Sequence, residues 1–156
     1  MFSRIIVACL IFVSFSLTAI AADDSAMIGS VMKVKTYERN SIDGNYTFSH
    51  YGSAVLIDSK RIITNAHVVL DADGKTPTGY YEICKSEKNK KVPTCFTTAK
   101  LISYDTIADL AVLELVAPIT GAKGVTFADK KELPVATSVV VYGYPSIGGM
   151  SITRTE

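Results

Sequence analysis

Apolar and polar residues alternate in short runs along most of the chain, the period of strands with one buried face. Runs rich in Val, Ile, Leu and Tyr fall at Gly29 to Thr36, His50 to Ile57, Arg61 to Asn65, Leu110 to Val116 and Ser138 to Tyr144. Two more, Gly79 to Ile83 and Phe96 to Tyr104, flank a polar stretch. Turn-forming residues separate the runs: Ser41-Ile42-Asp43-Gly44-Asn45, Asp58-Ser59, Asp71-Ala72-Asp73-Gly74 and Ala128-Asp129-Lys130. No window holds an apolar helical period for three turns, so helix is a minor component. The pattern predicts an all-β fold, either a closed barrel or a sandwich. It contains no internal repeat and no low-complexity linker.

The first residues follow a different rule. Met1 to Arg4 carries one positive charge, Ile5 to Ala22 is apolar apart from small hydroxyl residues, and Asp23-Asp24 opens a polar chain. Ala19-Ile20-Ala21 has the small-x-small pattern of a signal-peptidase site, so residues 1–21 read as an export signal. An apolar run of this length can also just span a bilayer, and an uncleaved anchor is the competing reading. Once the signal is cleaved, no stable membrane span is expected. Roughly 135 residues then remain, the size of one ordinary domain.

Composition narrows the function classes. Hydrophobic residues make up 48% and charged residues 20%, which supports a packed core rather than disorder. The formal net charge is +1, and Arg4 leaves with the signal, so the mature chain is neutral. A neutral chain has no electrostatic case for nucleic acid, which is bound by neutralising several phosphates.

Export also sets the redox context. Cys9 leaves with the signal, and Cys84 and Cys95 remain as an even pair in an oxidising compartment. They flank a polar stretch between two β-like runs, which predicts a disulfide across a hairpin. A metal site would need a further His or Cys nearby, and a C-x-x-C redox motif is absent. Neither a metal nor a cofactor is expected. Lys85, Lys88, Lys90 and Lys91 read as a solvated hairpin tip.

Three stretches carry chemistry. Gly52-Ser53-Ala54-Val55-Leu56-Ile57, a tight turn, and Arg61-Ile62-Ile63-Thr64-Asn65-Ala66-His67-Val68-Val69 form a hairpin that delivers a histidine just beyond a buried strand. Asn65-Ala66-His67 breaks the alternation, and a short helical turn there packs Ala66 inward and holds the imidazole at the rim. The second stretch, Asp109-Leu110-Ala111-Val112-Leu113-Glu114-Leu115, opens an apolar strand with an acid that is costly to bury alone. A hydrogen bond from His67 Nδ1–H would satisfy Asp109, fixing the tautomer and stabilising the imidazolium. Asp105 is the competing acid, though Asp is common in such loops for turn reasons. Glu114 is expected to face solvent, as is His50, and Tyr80-Tyr81 to supply one exposed and one core ring. The third stretch, Val139-Val140-Val141-Tyr142-Gly143-Tyr144-Pro145, reads as a buried strand ending in a Gly-x-Pro turn.

In this order the stretches G-S-A-V-L-I, T-N-A-H-V-V, D-L-A-V-L-E-L and G-Y-P resemble the trypsin-like (chymotrypsin-fold) serine proteases. They are most similar to the bacterial HtrA/Do-like type, because Val68 stands where digestive relatives carry a cysteine. The resemblance runs from about Gly29 to the end of the sequence. It implies two six-stranded antiparallel barrels with the active site between them. Residues 22–136 would be the first barrel and residues 137–156 the beginning of the second. It implies His67 as general base, Asp109 as its orienting acid, and a polypeptide substrate.

The family's nucleophile lies in a G-x-S-G-G-like motif a few tens of residues after the G-Y-P strand, and this sequence ends at Glu156. Ser146 and Ser151 lack the Gly-rich turn that builds an oxyanion hole. The expectation is therefore the N-terminal part of a secreted serine endopeptidase, with His and Asp but no nucleophilic Ser, and inactive alone. An exported, non-catalytic β-barrel binding module on the same scaffold is the alternative, since a fold does not fix a function.

Overall fold

The computed structural model describes residues 24–87, 92–129, 133–145 and 150–155. The export signal of residues 1–21, the lysines at 88, 90 and 91, and Ser146 lie outside them.

The strands follow the predicted runs. They are β1 (Val31–Arg39), β2 (Tyr46–Leu56), β3 (Arg61–Thr64), β4 (Tyr80–Lys85), β5 (Thr94–Asp105), β6 (Leu110–Leu115), β7 (Val139–Gly143) and β8 (Ser151–Thr155). The first six form a closed barrel in the order β1-β2-β3-β6-β5-β4, with antiparallel neighbours throughout. Barrel, not sandwich, is the outcome. β7 and β8 form a separate two-stranded sheet. A two-turn helix, α1 (Asp24–Ser30), precedes β1 and was not foreshadowed, because two turns are too short to establish an apolar period.

Closure depends on β1, which pairs with β2 on one side and β4 on the other. Its inward residues Met32 and Val34 join Leu56, Ile62, Ile83 and Leu113 in a core that excludes solvent. Tyr81 belongs to that core, whereas Tyr80 is half-buried against Tyr37 and Tyr46, as the alternation of β4 requires. Glu114 faces solvent, with the inward Leu113 and Leu115 on either side.

The outer face of β1 is also covered, which simple alternation does not anticipate. Val31 and Lys33 are both buried. The segment after β6 returns across this face: Ser30 Oγ donates to Lys123 O at 2.7 Å, and Val125 N–H donates to Leu56 O at 2.8 Å. Gly124 makes the approach possible, since a Cβ there would lie 2.7 Å from the Asp58 nitrogen. Lys33 Nζ sits 4.0 Å from the centroid of the Tyr51 ring and 5.9 Å from that of Tyr144, a cation held by aromatic faces. Burial, then the nearby Lys35 charge, pushes the Lys33 ammonium below its ordinary pKa.

Cys84 and Cys95 are bonded, directly opposite each other in the β4–β5 register. Tyr144 ties the later chain to this hairpin: its hydroxyl accepts from Ser86 N–H at 2.8 Å, and its own N–H donates to Ser53 Oγ at 2.8 Å. Among the described residues no helix is long and apolar enough to cross a membrane.

The disulfide closes a short loop, and such a bond restricts the unfolded chain by up to about 3 kcal/mol. A Cys84→Ala, Cys95→Ala double variant should unfold at a lower urea midpoint, with an unfolding free energy lower by up to about 3 kcal/mol. An unchanged midpoint would show that the bond adds no stability.

Candidate functional site

The site is built where β3 stops. Thr64 closes the strand by donating from Oγ1 to Ser53 O at 2.7 Å, and Asn65 adopts an extended backbone. Ala66–Val68 then forms a single 3₁₀ turn, with Ala66 and Val68 buried and His67 projecting between them. Val68 is seated against β2 because Gly52 has no side chain. A Cβ at Gly52 would overlap the Val68 methyl groups and lie 2.9 Å from Val68 Cβ.

The carbonyls at the end of the turn are fully engaged. Thr36 Oγ1 donates to Val68 O at 2.8 Å, and Tyr81 Oη donates to Val69 O at 3.0 Å. Thr78 donates to Val69 O through both its N–H and its hydroxyl. Three residues, from β1, β4 and the loop before β4, thus hold the short element that carries His67.

Asp109 meets this turn from the other side. Its Oδ2 lies 2.8 Å from His67 Nδ1, and its Oδ1 accepts from His67 N–H at 3.0 Å. Asn65 Nδ2 donates to the same carboxylate, 3.1 Å from Oδ2, and to Asp109 O at 3.2 Å. With Nδ1–H donated to the carboxylate, Nε2 keeps the ring's lone pair and is the basic nitrogen. The arrangement can accept a proton at Nε2 and stabilise the resulting imidazolium.

Two details differ from the sequence reading. Asp109 does not open β6. It ends the turn before it, at φ 52°, in the left-handed region that Asp tolerates better than most residues. Nor is the pair buried: the side chains of His67 and Asp109 are 70% and 43% exposed. What holds the carboxylate is its set of donors and not relief from burial. The His67 backbone N–H, then the imidazole and the Asn65 amide, keep the Asp109 carboxyl below the ordinary aspartate range. Asp105 is occupied in shaping the turn, where its Oδ1 accepts from Ile107 N–H at 2.8 Å and Ala108 N–H at 3.0 Å.

His67 borders an open cleft of about 340 Å³, whose other walls include Glu38, Ser49, His50 and Asp71. Asp71 Oδ1 is buried there without a hydrogen-bond partner among the described residues. His50 is therefore not a simple surface residue. It lies within β2, half-buried, with its ring against Val68 O. Asn65 and His50 are the two contributors that the sequence reading missed. Asn65 was visible in the T-N-A-H stretch, but its second role as an amide donor depends on where Asp109 folds. A second, apolar cleft of similar volume includes Asn65, Leu110, Phe127 and Tyr142 but neither His67 nor Asp109, so it stands apart from the His67–Asp109 pair.

Ser151 is the first residue of β8, paired with Gly143, and borders a different cleft from His67. Among the described residues no hydroxyl is hydrogen-bonded to His67 Nε2, and no three His, Cys, Asp or Glu side chains converge as metal ligands.

A family model described as trypsin-like peptidase domain matches residues 52–156. The chain belongs to this family. The matched region begins at the glycine that seats Val68 and includes both members of the His67–Asp109 pair. Among solved structures, the chain is similar to the Rv3671c protease from M. tuberculosis in its active form. The TM-score is 0.62 and the identity 24%, over 84% of this chain and 48% of that one. The chain thus spans about half the length of that protease, and the likeness shows a shared fold. No curated protein matches. Within the trypsin-like peptidase frame, the six-stranded barrel is the expected architecture.

Two measurements test this geometry. Gly52→Ala should displace Val68 and the turn with it, at a cost of about 1–3 kcal/mol in stability. The hydrogen-bonded Nδ1–H proton signal of His67 should disappear with it; a retained signal would show that the close approach is not needed. Because the folded-state pKa of Asp109 is lowered, its contribution is full above the ordinary aspartate value of about 3.9. It should be lost as pH falls below that value and Asp109 takes up a proton. An acid titration followed by NMR at His67 N–H should show this loss, and loss beginning above pH 5 would contradict it.

Proposed function

We propose that the chain supplies the general base and orienting acid of a secreted serine-type endopeptidase. One observation carries the reading: the 2.8 Å contact between His67 Nδ1 and Asp109 Oδ2, on a turn fixed from three sides, within a trypsin-like peptidase domain. In this mechanism His67 Nε2 takes the proton of the attacking serine hydroxyl and later returns it to the leaving amine. Asp109 keeps the ring in the required tautomer and stabilises the imidazolium, and is not itself protonated.

The reading takes the serine and the oxyanion hole from the second barrel of the complete enzyme, of which residues 137–156 are the beginning. The length of the solved relative, about twice the matched span, supports this division. The substrate is a polypeptide, and the HtrA/Do-like type follows from Val68 after the histidine. Residues 1–21 serve as an export signal to the periplasm or the extracellular space, a placement supported by the Cys84–Cys95 disulfide.

The test is a serine-directed covalent probe applied to this chain and to a form extended through the second barrel. Labelling of the extended form alone is expected. In that form His67→Ala should lower kcat by about 10⁶-fold and Asp109→Asn by about 10⁴-fold. An extended protein that neither labels nor cleaves casein would favour the binding-module reading instead.

A further inference from the structure

We propose that His50 is a positioning residue: a proton-dependent brace between the β1–β2 hairpin and the turn that carries His67. The observation is a count of hydrogens. Ser49 Oγ donates to Glu38 Oε1 at 2.6 Å and also lies 2.9 Å from His50 Nδ1. His50 Nε2 lies 3.0 Å from Val68 O. A carbonyl oxygen only accepts, so Nε2 bears a hydrogen in that contact. A hydroxyl has one hydrogen, and Ser49 gives it to the Glu38 carboxylate. The contact between Ser49 and Nδ1 therefore takes its hydrogen from the ring. All three bonds are made together only by the imidazolium, and the neutral ring leaves one of them unmade.

The backbone is shaped for this contact. His50 is opposite Thr36, whereas Phe48 is opposite Tyr37, so Ser49 is the extra residue of a β-bulge. A bulge sets two neighbouring residues against one on the partner strand and re-aims their side chains. Here it brings Ser49 and His50 side by side at the rim of the barrel. Thr36, facing the bulge, donates to the same Val68 carbonyl that His50 reaches. The brace thus acts on the residue immediately after His67.

Charged groups reach His50 from each neighbouring element. Glu38 comes from β1, His67 from the 3₁₀ turn, and Asp71 from the loop that follows, all on the same cleft. Burial, and repulsion from Glu38 and Asp73, raise the Asp71 carboxyl, and the His50 charge works against that rise. Imidazoles change charge between about pH 5 and 8. The brace is complete at the acid end of that range and loses a bond as pH rises. Its effect on catalysis rests on the reading of His67 as general base, whereas the brace itself does not.

The test reads protons and not turnover, so it stands apart from any failure of the protease reading. It follows ¹⁵N-histidine NMR of the full chain from pH 8 to pH 5. Both ring nitrogens of His50 should move to imidazolium shifts, and the His67 ring should show a second inflection at the same pH. Protection of the Val69 amide, which closes the turn onto Ala66 O, should be about tenfold higher at pH 5 than at pH 8. Ser49→Ala should abolish the second inflection and flatten the protection profile, as should His50→Gln. If His50→Gln does not fold, the wild type and Ser49→Ala still decide. A His50 ring that stays neutral to pH 5, or a His67 titration identical in wild type and Ser49→Ala, overturns the proposal.

Discussion

The structure depends on β1 pairing along both of its edges. That double pairing turns six short strands into a closed barrel and leaves no open edge among them. Closure fixes where each strand ends, and the His67–Asp109 pair consists entirely of strand ends. His67 is on the turn that follows β3, and Asp109 is on the turn that precedes β6. β3 and β6 are hydrogen-bonded neighbours, with Thr64 opposite Ala111. Residues 42 positions apart in sequence therefore meet without any long loop having to be ordered.

The site is rigid for reasons other than burial. Its two central side chains are exposed, yet the short element bearing His67 is fixed by a glycine contact below and by donors to its last carbonyls. Asp109 grips the turn through backbone as well as side chain, accepting from both the N–H and the ring of His67. A carboxylate that binds two groups of one residue fixes orientation more closely than a single contact does. In the proposed role of His67 as a base, the angle of the ring sets its reach to a proton.

Much of this was legible in the sequence, and what was not has a physical reason. The barrel strands followed from alternation, and the 3₁₀ turn followed from Asn65-Ala66-His67 breaking it. His67 and Asp109 do pair, but not because a buried acid needs a partner. An acid beside an apolar run looked like a buried strand residue, whereas Asp109 is left-handed and half-exposed, and Leu110 after it is exposed too. Backbone handedness leaves no mark in an apolar pattern. His50 reads from the sequence as a surface residue ahead of a strand, whereas β2 already begins at Tyr46 and His50 lies within it, in step with the buried Gly52, Ala54 and Leu56. The cover over Lys33 was unreadable because it is laid down by residues some ninety positions later.

That cover also sets an order of events. Tyr144 rests on Ser53 of β2, on Ser86 just past β4, and over Lys33 of β1, so its seat exists only once three separate strands have come together. The barrel is in this sense a template, and the chain that leaves it acquires its position second. Contacts of such long sequence separation are slow to form, because loop closure precedes any reward. Anything that delays the pairing of β1 therefore delays the seating of Tyr144, and a nascent chain gains from completing the barrel before β7 emerges.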